Sequence, residues 1–402
     1  MAKKTIDQIK VHGKRVLMRV DFNVPIDGSD ITDDRRIREA LPSIRNVVER
    51  GGMLILMSHM GRPKGDGFEA EFTLKPCAER LSELVGRPVK FPSKDCIDGD
   101  AADAVGAIKE GEIVLLENLR FHKAEKKGDA EFAKKLAAYG DIYCNDAFGT
   151  CHRPDASMVA VPRAMEGRPR VCGYLVQKEI KFLAEALEKP DRPYVAILGG
   201  AKVSDKIETV ERLIIDTDAL LIGGAMSYTF LEAMGRKVGK SRVERDHLST
   251  ARRLIDLAAK KACDMHLPLD HVCSTEFAER TGTIDVFEDN IPDGFMGMDI
   301  GPKSQSEYVR VISSAKTIVW NGPMGVFEWA PFRIGTQQVA QAVADATEGN
   351  SALSIVGGGD SAAAVEKFKV ADKITHISTG GGASLEMLGG AKFESLELLD
   401  EG

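Results

Sequence analysis

Short apolar runs recur along the chain, each closing on polar or glycine-rich residues and each followed by an amphipathic stretch. In the first half, Arg15 to Val20 breaks into Asp21-Phe22-Asn23-Val24-Pro25, and Met53 to Met57 into Ser58-His59-Met60-Gly61-Arg62-Pro63. Ile113 to Leu116 breaks into Glu117-Asn118-Leu119-Arg120, and Ile142 to Cys144 into Asn145-Asp146, shortly before His152-Arg153. Between these runs, Ile37, Leu41, Ile44, Val47 and Val48 recur at helical spacing after Thr32-Asp33-Asp34, and Gly51-Gly52 ends the pattern. Ala78 to Leu84 and Phe132 to Tyr139 read the same way. Leu175, Ile180, Leu183, Ala186 and Leu187 then predict one helix stopped by Pro190 and Pro193.

The second half repeats the unit with glycine at the strand ends. Tyr194 to Leu198 runs into Gly199-Gly200-Ala201-Lys202-Val203-Ser204-Asp205-Lys206 and then into the amphipathic Ile207 to Ile215. Ala219 to Ile222, Ile318 to Trp320, Leu353 to Val356 and Ile374 to Ile377 are further strands, Asp264 to Pro268 a weaker one, and Asn290 to Gly301 reads as irregular. Strands alternating with helices predict parallel sheets covered on both faces, with ligands outside the carboxyl ends of the strands.

Composition sets the scale. A chain of 402 residues exceeds what one core usually serves, so two domains are expected. With 43% hydrophobic and 29% charged residues the chain is an ordinary globule, without a run of membrane-spanning length or an apolar leader, and a cytoplasmic location is expected. Seven cysteines without a C-x-x-C pair point to buried thiols, and Cys144 with Cys151-His152 gives only a faint hint of metal. Residues 1–170 carry 29 Lys+Arg against 27 Asp+Glu, the remainder 25 against 34. The first half is therefore the better host for an anion, and the balance is too mild for a nucleic-acid surface.

The candidate chemistry follows from where the charges fall. Arg62, Arg120 and Arg153 stand at three successive strand ends, with His59 and Arg36 nearby. Any one of them reads equally as a surface ion pair, Arg36 with Asp33 or Glu39 for instance. Together they fit a small, highly anionic ligand, because guanidinium binds phosphate or carboxylate bidentately. In the second half, the glycine turn with Lys202 and Lys206, four apart on one helical face, fits a phosphate, although the spacing is not that of a P-loop and a tight turn with two solvated lysines is the alternative. Glycines at several strand ends make room for an extended ligand such as a nucleotide. Gly357-Gly358-Gly359-Asp360-Ser361-Ala362 satisfies G-x-G-x-x-A, but the next strand end, Ser378-Thr379-Gly380, lacks the acid of a dinucleotide site. A non-enzymatic anion-binding module explains the arginines but leaves the glycine-lined half unexplained.

Seven segments in order, RVDFNVP (19–25), SHMGRP (58–63), ENLRFH (117–122), GGAKVSDKI (199–207), WNGPMGVFE (320–328), GGGDS (357–361) and STGGGASLE (378–386), resemble the phosphoglycerate kinase family over nearly the whole chain. Met60 and Ser361 stand where Leu and Thr are more usual. The resemblance implies an α/β fold of two doubly wound, mainly parallel-sheet, Rossmann-like domains joined by a helix. Residues 1–172, with 390–402 returning to them, would bind phosphoglycerate, 173–189 would form the joining helix, and 190–389 would bind nucleotide. It implies reversible phosphoryl transfer between 1,3-bisphosphoglycerate and ADP, giving 3-phosphoglycerate and ATP, with Mg2+ accompanying the nucleotide and domain closure without a covalent intermediate. By position, Asp21, Phe22, Asn23, Arg36, His59, Met60, Gly61, Arg62, Arg120 and Arg153 would hold the phosphoglycerate. Lys202, Lys206, Gly297, Asn321, Glu328, Gly358, Gly359, Asp360 and Ser361 would hold the nucleotide, with Asp360 near the metal. Arg36, Lys202, Lys206 and the N–H groups around Gly381 would serve the transferring group. A monomer without nucleic-acid or membrane partners is expected.

Overall fold

Strand pairing is what gathers the polar strand ends of each half. The computed structural model describes residues 2–28 and 30–402, apart from the side chains of Glu185 and Ala186, so the Ala186 position of the helical pattern lies outside the described residues. Contacts divide the chain into one unit of Met1–Lys181 with Lys392–Gly402 and another of Phe182–Ala391.

In the first unit six strands form one parallel sheet, in the spatial order Val89–Lys90, Ile113–Leu115, Met53–Met57, Arg15–Val20, Ile142–Asp146, Arg170–Cys172. Arg15–Val20 lies at the centre, with Val16 opposite both Leu54 and Ile142. That register sets Val20 level with Asp146 and Arg19 level with Met57, so Asp21 and Ser58 leave the sheet at the same edge. The strands are apolar on both faces because helices cover both. Helix Arg35–Glu49, for example, buries Ile37, Ala40, Leu41, Ile44, Val47 and Val48, the stripe that its periodicity predicts. The last residues belong to this unit: Lys4 N–H donates to Asp400 O at 2.9 Å, and Ser395 Oγ to Cys151 O at 2.7 Å.

The second unit also has a six-stranded parallel sheet, in the order Asp264–His266, Ala219–Ile222, Tyr194–Leu198, Thr317–Asn321, Leu353–Gly357, His376–Ile377. Asn321 pairs with Leu198 on one side and Gly357 on the other. Three glycine-bearing strand ends therefore lie adjacent. The α/β class with two parallel sheets is the one expected.

Three local readings change. Residues 290–301 are not irregular throughout: Met296–Ile300 joins Asp270–Ser274 and Ile284–Glu288 in a three-stranded antiparallel sheet. Its pattern is weak because Ile284–Glu288 is an edge strand with almost every residue exposed, so no alternation marks it. The stretch read as one α-helix from Tyr174 onward is α over Tyr174–Ile180, π over Lys181–Glu185 and α again over Ala186–Glu188. Apolar periodicity reports burial, which a π turn satisfies as well as an α turn. Lys202 and Lys206 do not share a helical face, because Lys202 precedes the 3-10 turn Ser204–Lys206 and the helix begins only at Ile207. All seven cysteines are buried and free, as expected. Among the described residues no helix is long and apolar enough to cross a membrane.

Candidate active site

In the first unit the site grows from the end of the Arg15–Val20 strand. Asp21 accepts an ion pair from Arg36 Nη1 at 3.1 Å, and the same Nη1 donates to Asn23 O at 2.9 Å. Arg36 is thus paired neither with Asp33 nor with Glu39. It reaches back from the first turn of its helix to the sheet edge. Asn23 Oδ1 accepts from Gly61 N–H at 2.8 Å and ties the first strand end to the second. Arg120 Nη1 donates to Gly61 O at 3.0 Å, and its Nη2 lies 3.5 Å from Asp155 Oδ2. Its Nε is buried without a partner, a donor left for something else to satisfy.

His59 is the point on which these groups converge. Burial holds its imidazole well below the usual histidine range, and the charges of Arg19, Arg120, Arg153 and Arg36 push the same way. Arg19 is wholly buried beneath it. Arg19 Nε donates to Ser157 Oγ at 2.9 Å, Nη1 bonds Val20 O, and Nη2 lies 3.1 Å from His59 Nδ1. A guanidinium has no acceptor, so His59 Nδ1 must accept and the ring is the neutral tautomer with its proton on Nε2. Beneath Arg19, Ser157 Oγ donates to the buried Glu125 at 2.6 Å. Four guanidiniums around one neutral imidazole, with Asp21 and Asp155 as counter-charges, leave an excess of positive charge for an anion.

The positions expected around phosphoglycerate do not all reach this point. Asp21, Asn23, Arg36, His59, Gly61, Arg120 and Arg153 are brought together. Arg62 is exposed, outside the charges that dominate His59. Phe22 and Met60 turn their side chains into the hydrophobic core, while Phe22 N–H donates to Ser58 Oγ at 2.8 Å and Met60 O accepts from Asn118 Nδ2 at 2.8 Å. Arg19, Glu125, Asp155 and Ser157 were missed as site residues. Only Arg19, an arginine inside an apolar strand, carried a signal.

In the second unit Lys206 marks the meeting of the strand ends. Its ammonium donates to Gly199 O at 2.7 Å, Asn321 O at 3.0 Å and Asn321 Oδ1 at 2.6 Å, which uses all three donors. Burial pushes it down to about 8, opposed by the charges of Asp360 and Asp205. Gly322 at φ +100° is required here, since a Cβ would sit 2.3 Å from Gly199 O. Part of the glycine pattern therefore serves backbone-on-backbone contact between strand-end loops. Beside them is a cavity of about 370 Å³ whose lining includes Gly200, Ala201, Tyr228, Gly297, Met324, Glu328 and Asp360. A Cβ on Gly297 would fall 1.8 Å from Tyr228 Oη, so this wall is backbone by necessity.

Of the expected nucleotide residues, Gly297, Glu328 and Asp360 line that cavity. Lys202, Lys206, Asn321, Gly358, Gly359 and Ser361 do not. Ser361 is fully buried and its Oγ accepts from Gly322 N–H at 2.6 Å, a bond that holds the loop. Lys202 is exposed. Near Gly381, the Gly380 N–H is already bonded to Ser378 Oγ at 3.1 Å. Tyr228, Lys240, Arg242 and Phe277, also on the cavity lining, stand outside the segments that carried the sequence reading.

Comparison with known proteins identifies the family. The sequence profile described as phosphoglycerate kinase matches residues 6–391. The phosphoglycerate kinase of Rhodopirellula baltica is 57% identical over 404 residues, covering 100% of both chains, and that of Chlorobium phaeobacteroides is 52% identical over 402 residues, again covering 100% of both. The solved structure of phosphoglycerate kinase from Coxiella burnetii matches with a TM-score of 0.88 at 38% identity, covering 98% of each chain. With this identity along the whole length and the matched fold, the chain belongs to the phosphoglycerate kinase family.

Proposed function

We propose that the protein is a glycolytic phosphotransferase that moves the acyl phosphate of 1,3-bisphosphoglycerate to ADP, reversibly, giving 3-phosphoglycerate and ATP. The observation that carries the reading is the set of guanidiniums around the neutral, Nε2-protonated His59, a donor-rich site in the first unit. A terminal phosphate oxygen of ADP attacks the acyl phosphorus, the bond from phosphorus to the acyl oxygen breaks, and the carboxylate leaves. Both nucleophiles are already anionic, so no proton moves and no base is needed. Catalysis is then positioning and charge stabilisation.

In this reading Arg36, His59, Arg62, Arg120 and Arg153 donate to the phosphoglycerate, while Asp21 and Asn23 aim Arg36. Glu328, Gly297 and the cavity beside them take the nucleotide. Lys206 meets the transferring group by exchanging one of its three protein oxygens for a phosphoryl oxygen, and the N–H of Gly381 adds to it. Lys202, exposed on the loop, supplies a second cation. Transfer needs the reacting atoms about 3–3.5 Å apart, so closure of the two units on their substrates is part of the proposal.

Asp360 fits a magnesium ion. It is an exposed carboxylate in the first turn of helix Gly359–Lys367, at the cavity, and Mg2+ is commonly bound by one or two carboxylates plus substrate phosphates. Bound there, the ion would neutralise charge on the nucleotide phosphates. We further propose that the protein works as a monomer in the cytoplasm. A coupled assay with 3-phosphoglycerate and Mg-ATP tests the activity: turnover is expected, and a pure, folded, inactive protein would return the chain to an anion-binding module.

A further inference from the structure

We propose that Asp95, Cys96 and His122 form a binding site for a divalent cation of the zinc type, built from residues other than those proposed to hold phosphoglycerate and nucleotide. Two separate segments supply the ligands. Asp95 and Cys96 lie in the loop between strand Val89–Lys90 and helix Gly99–Gly106, and His122 follows the short helix Leu119–Phe121. One ligand atom from each residue lies within 4.8 Å of the others, and His122 Nε2 is 3.0 Å from Asp95 Oδ1. Around a tetrahedral zinc with bonds of about 2.0–2.3 Å, ligand atoms stand roughly 3.3–3.7 Å apart, so the widest pair has to close by at most about 1.5 Å. A thiolate, an imidazole and a carboxylate together suit zinc; magnesium and calcium take oxygen donors.

The surroundings of the thiol favour a cation independently of that spacing. Cys96 is fully buried, and the leading charges that act on it are the carboxylates of Asp95, Glu125 and Glu117, all of one sign. The carboxylate is already held in place, since Asp95 Oδ1 accepts from Ile97 N–H at 2.8 Å. The side chains of His122 and Asp95 are 25% and 36% exposed, which gives an ion a way in without unfolding.

Binding breaks the hydrogen bond in which His122 Nε2–H donates to Asp95. His122 gives up its Nε2 proton and becomes the Nδ1–H tautomer, the Nε2 lone pair so freed bonds the metal with a carboxylate oxygen and the Cys96 sulfur, water takes the fourth position, and the thiol proton goes to solvent. The competing reading is a His–Asp ion pair over an inert buried thiol. Cobalt(II) separates the two, because a thiolate ligand adds a sulfur-to-metal charge-transfer band that an ion pair cannot produce. Nucleotide-free full-length protein should take up one equivalent of Co2+ with such a band, and one equivalent of Zn2+ should abolish it. Cys96→Ser should lose the band. His122→Asn should keep the thiol but weaken Zn2+ binding by calorimetry more than about tenfold, since even outer partners of metal ligands carry 10–100-fold in affinity. A wild-type spectrum without the band, or a band that persists in Cys96→Ser, overturns the proposal. If Cys96→Ser does not fold, His122→Asn decides by itself, and wild-type Zn2+ affinity in that variant also overturns it.

Discussion

Single side chains are where the anion site can be challenged most directly. Arg153 acts on His59 from half-buried surroundings, so Arg153→Ala should weaken 3-phosphoglycerate binding and spare ADP. A charged hydrogen bond of roughly 1.5–3 kcal/mol corresponds to a tenfold to hundredfold loss, readable by calorimetry; unchanged affinity would remove Arg153 from the site. Arg62, exposed and apart from the convergence, should show a smaller loss in the same measurement. His59 makes a second prediction. With Arg19 donating to Nδ1, the 15N shifts should report an Nε2–H tautomer that stays neutral from pH 8 to below pH 6. The sign for stability follows: the folded value is depressed, so the contribution of His59 is complete above the unfolded value of about 6.5 and is lost as pH falls below it. A cationic ring at pH 7 would contradict both parts. At this scale the sequence was legible for charge and not for direction: Phe22, Met60 and Ser361 stand in loops and a helix start beside charged neighbours, yet packing turns their side chains inward.

Elements explain why these side chains are placed so firmly. Strand Ile142–Asp146 ends in a fully buried carboxylate that accepts from Leu175 N–H at 2.9 Å, at the start of helix Tyr174–Ile180. Burial pushes Asp146 up to about 7 against an ordinary value of 3.8. The native state therefore holds a proton that the unfolded chain releases, and the group costs stability increasingly as pH rises from about 4 to about 7. Asp146→Asn removes that cost while an amide oxygen still accepts. Its stability relative to wild type should grow across that window, on the order of a few kcal/mol, and level off above pH 7 in urea unfolding. A difference independent of pH would show that Asp146 is ionised in the native state throughout. Periodicity located the helix that begins at Tyr174 but not its π turn at Lys181–Glu185, because a one-dimensional burial pattern cannot count the residues in a turn.

At the scale of the whole molecule, each proposed substrate meets one contact unit. The boundary between Lys181 and Phe182 falls inside the helical segment, at the start of that π turn. Hydrogen exchange should then show 3-phosphoglycerate protecting amides within residues 1–181 and ADP protecting amides within 182–391. Protection by either ligand alone in both stretches would contradict separate binding. The alternation of strands and helices, the doubling of the unit, the cationic strand ends of one half and the glycine strand ends of the other were all determined by sequence alone, because they depend on periodicity and residue type. Only tertiary structure decided which guanidiniums converge on His59, that the ammonium of Lys206 is enclosed by Gly199 and Asn321 while Lys202 stays outside, and that Asp95 and Cys96 meet His122. Those relations join residues far apart in the chain. Their distances are set by strand register and by which backbone and side-chain groups must be satisfied on burial, and no local pattern encodes either.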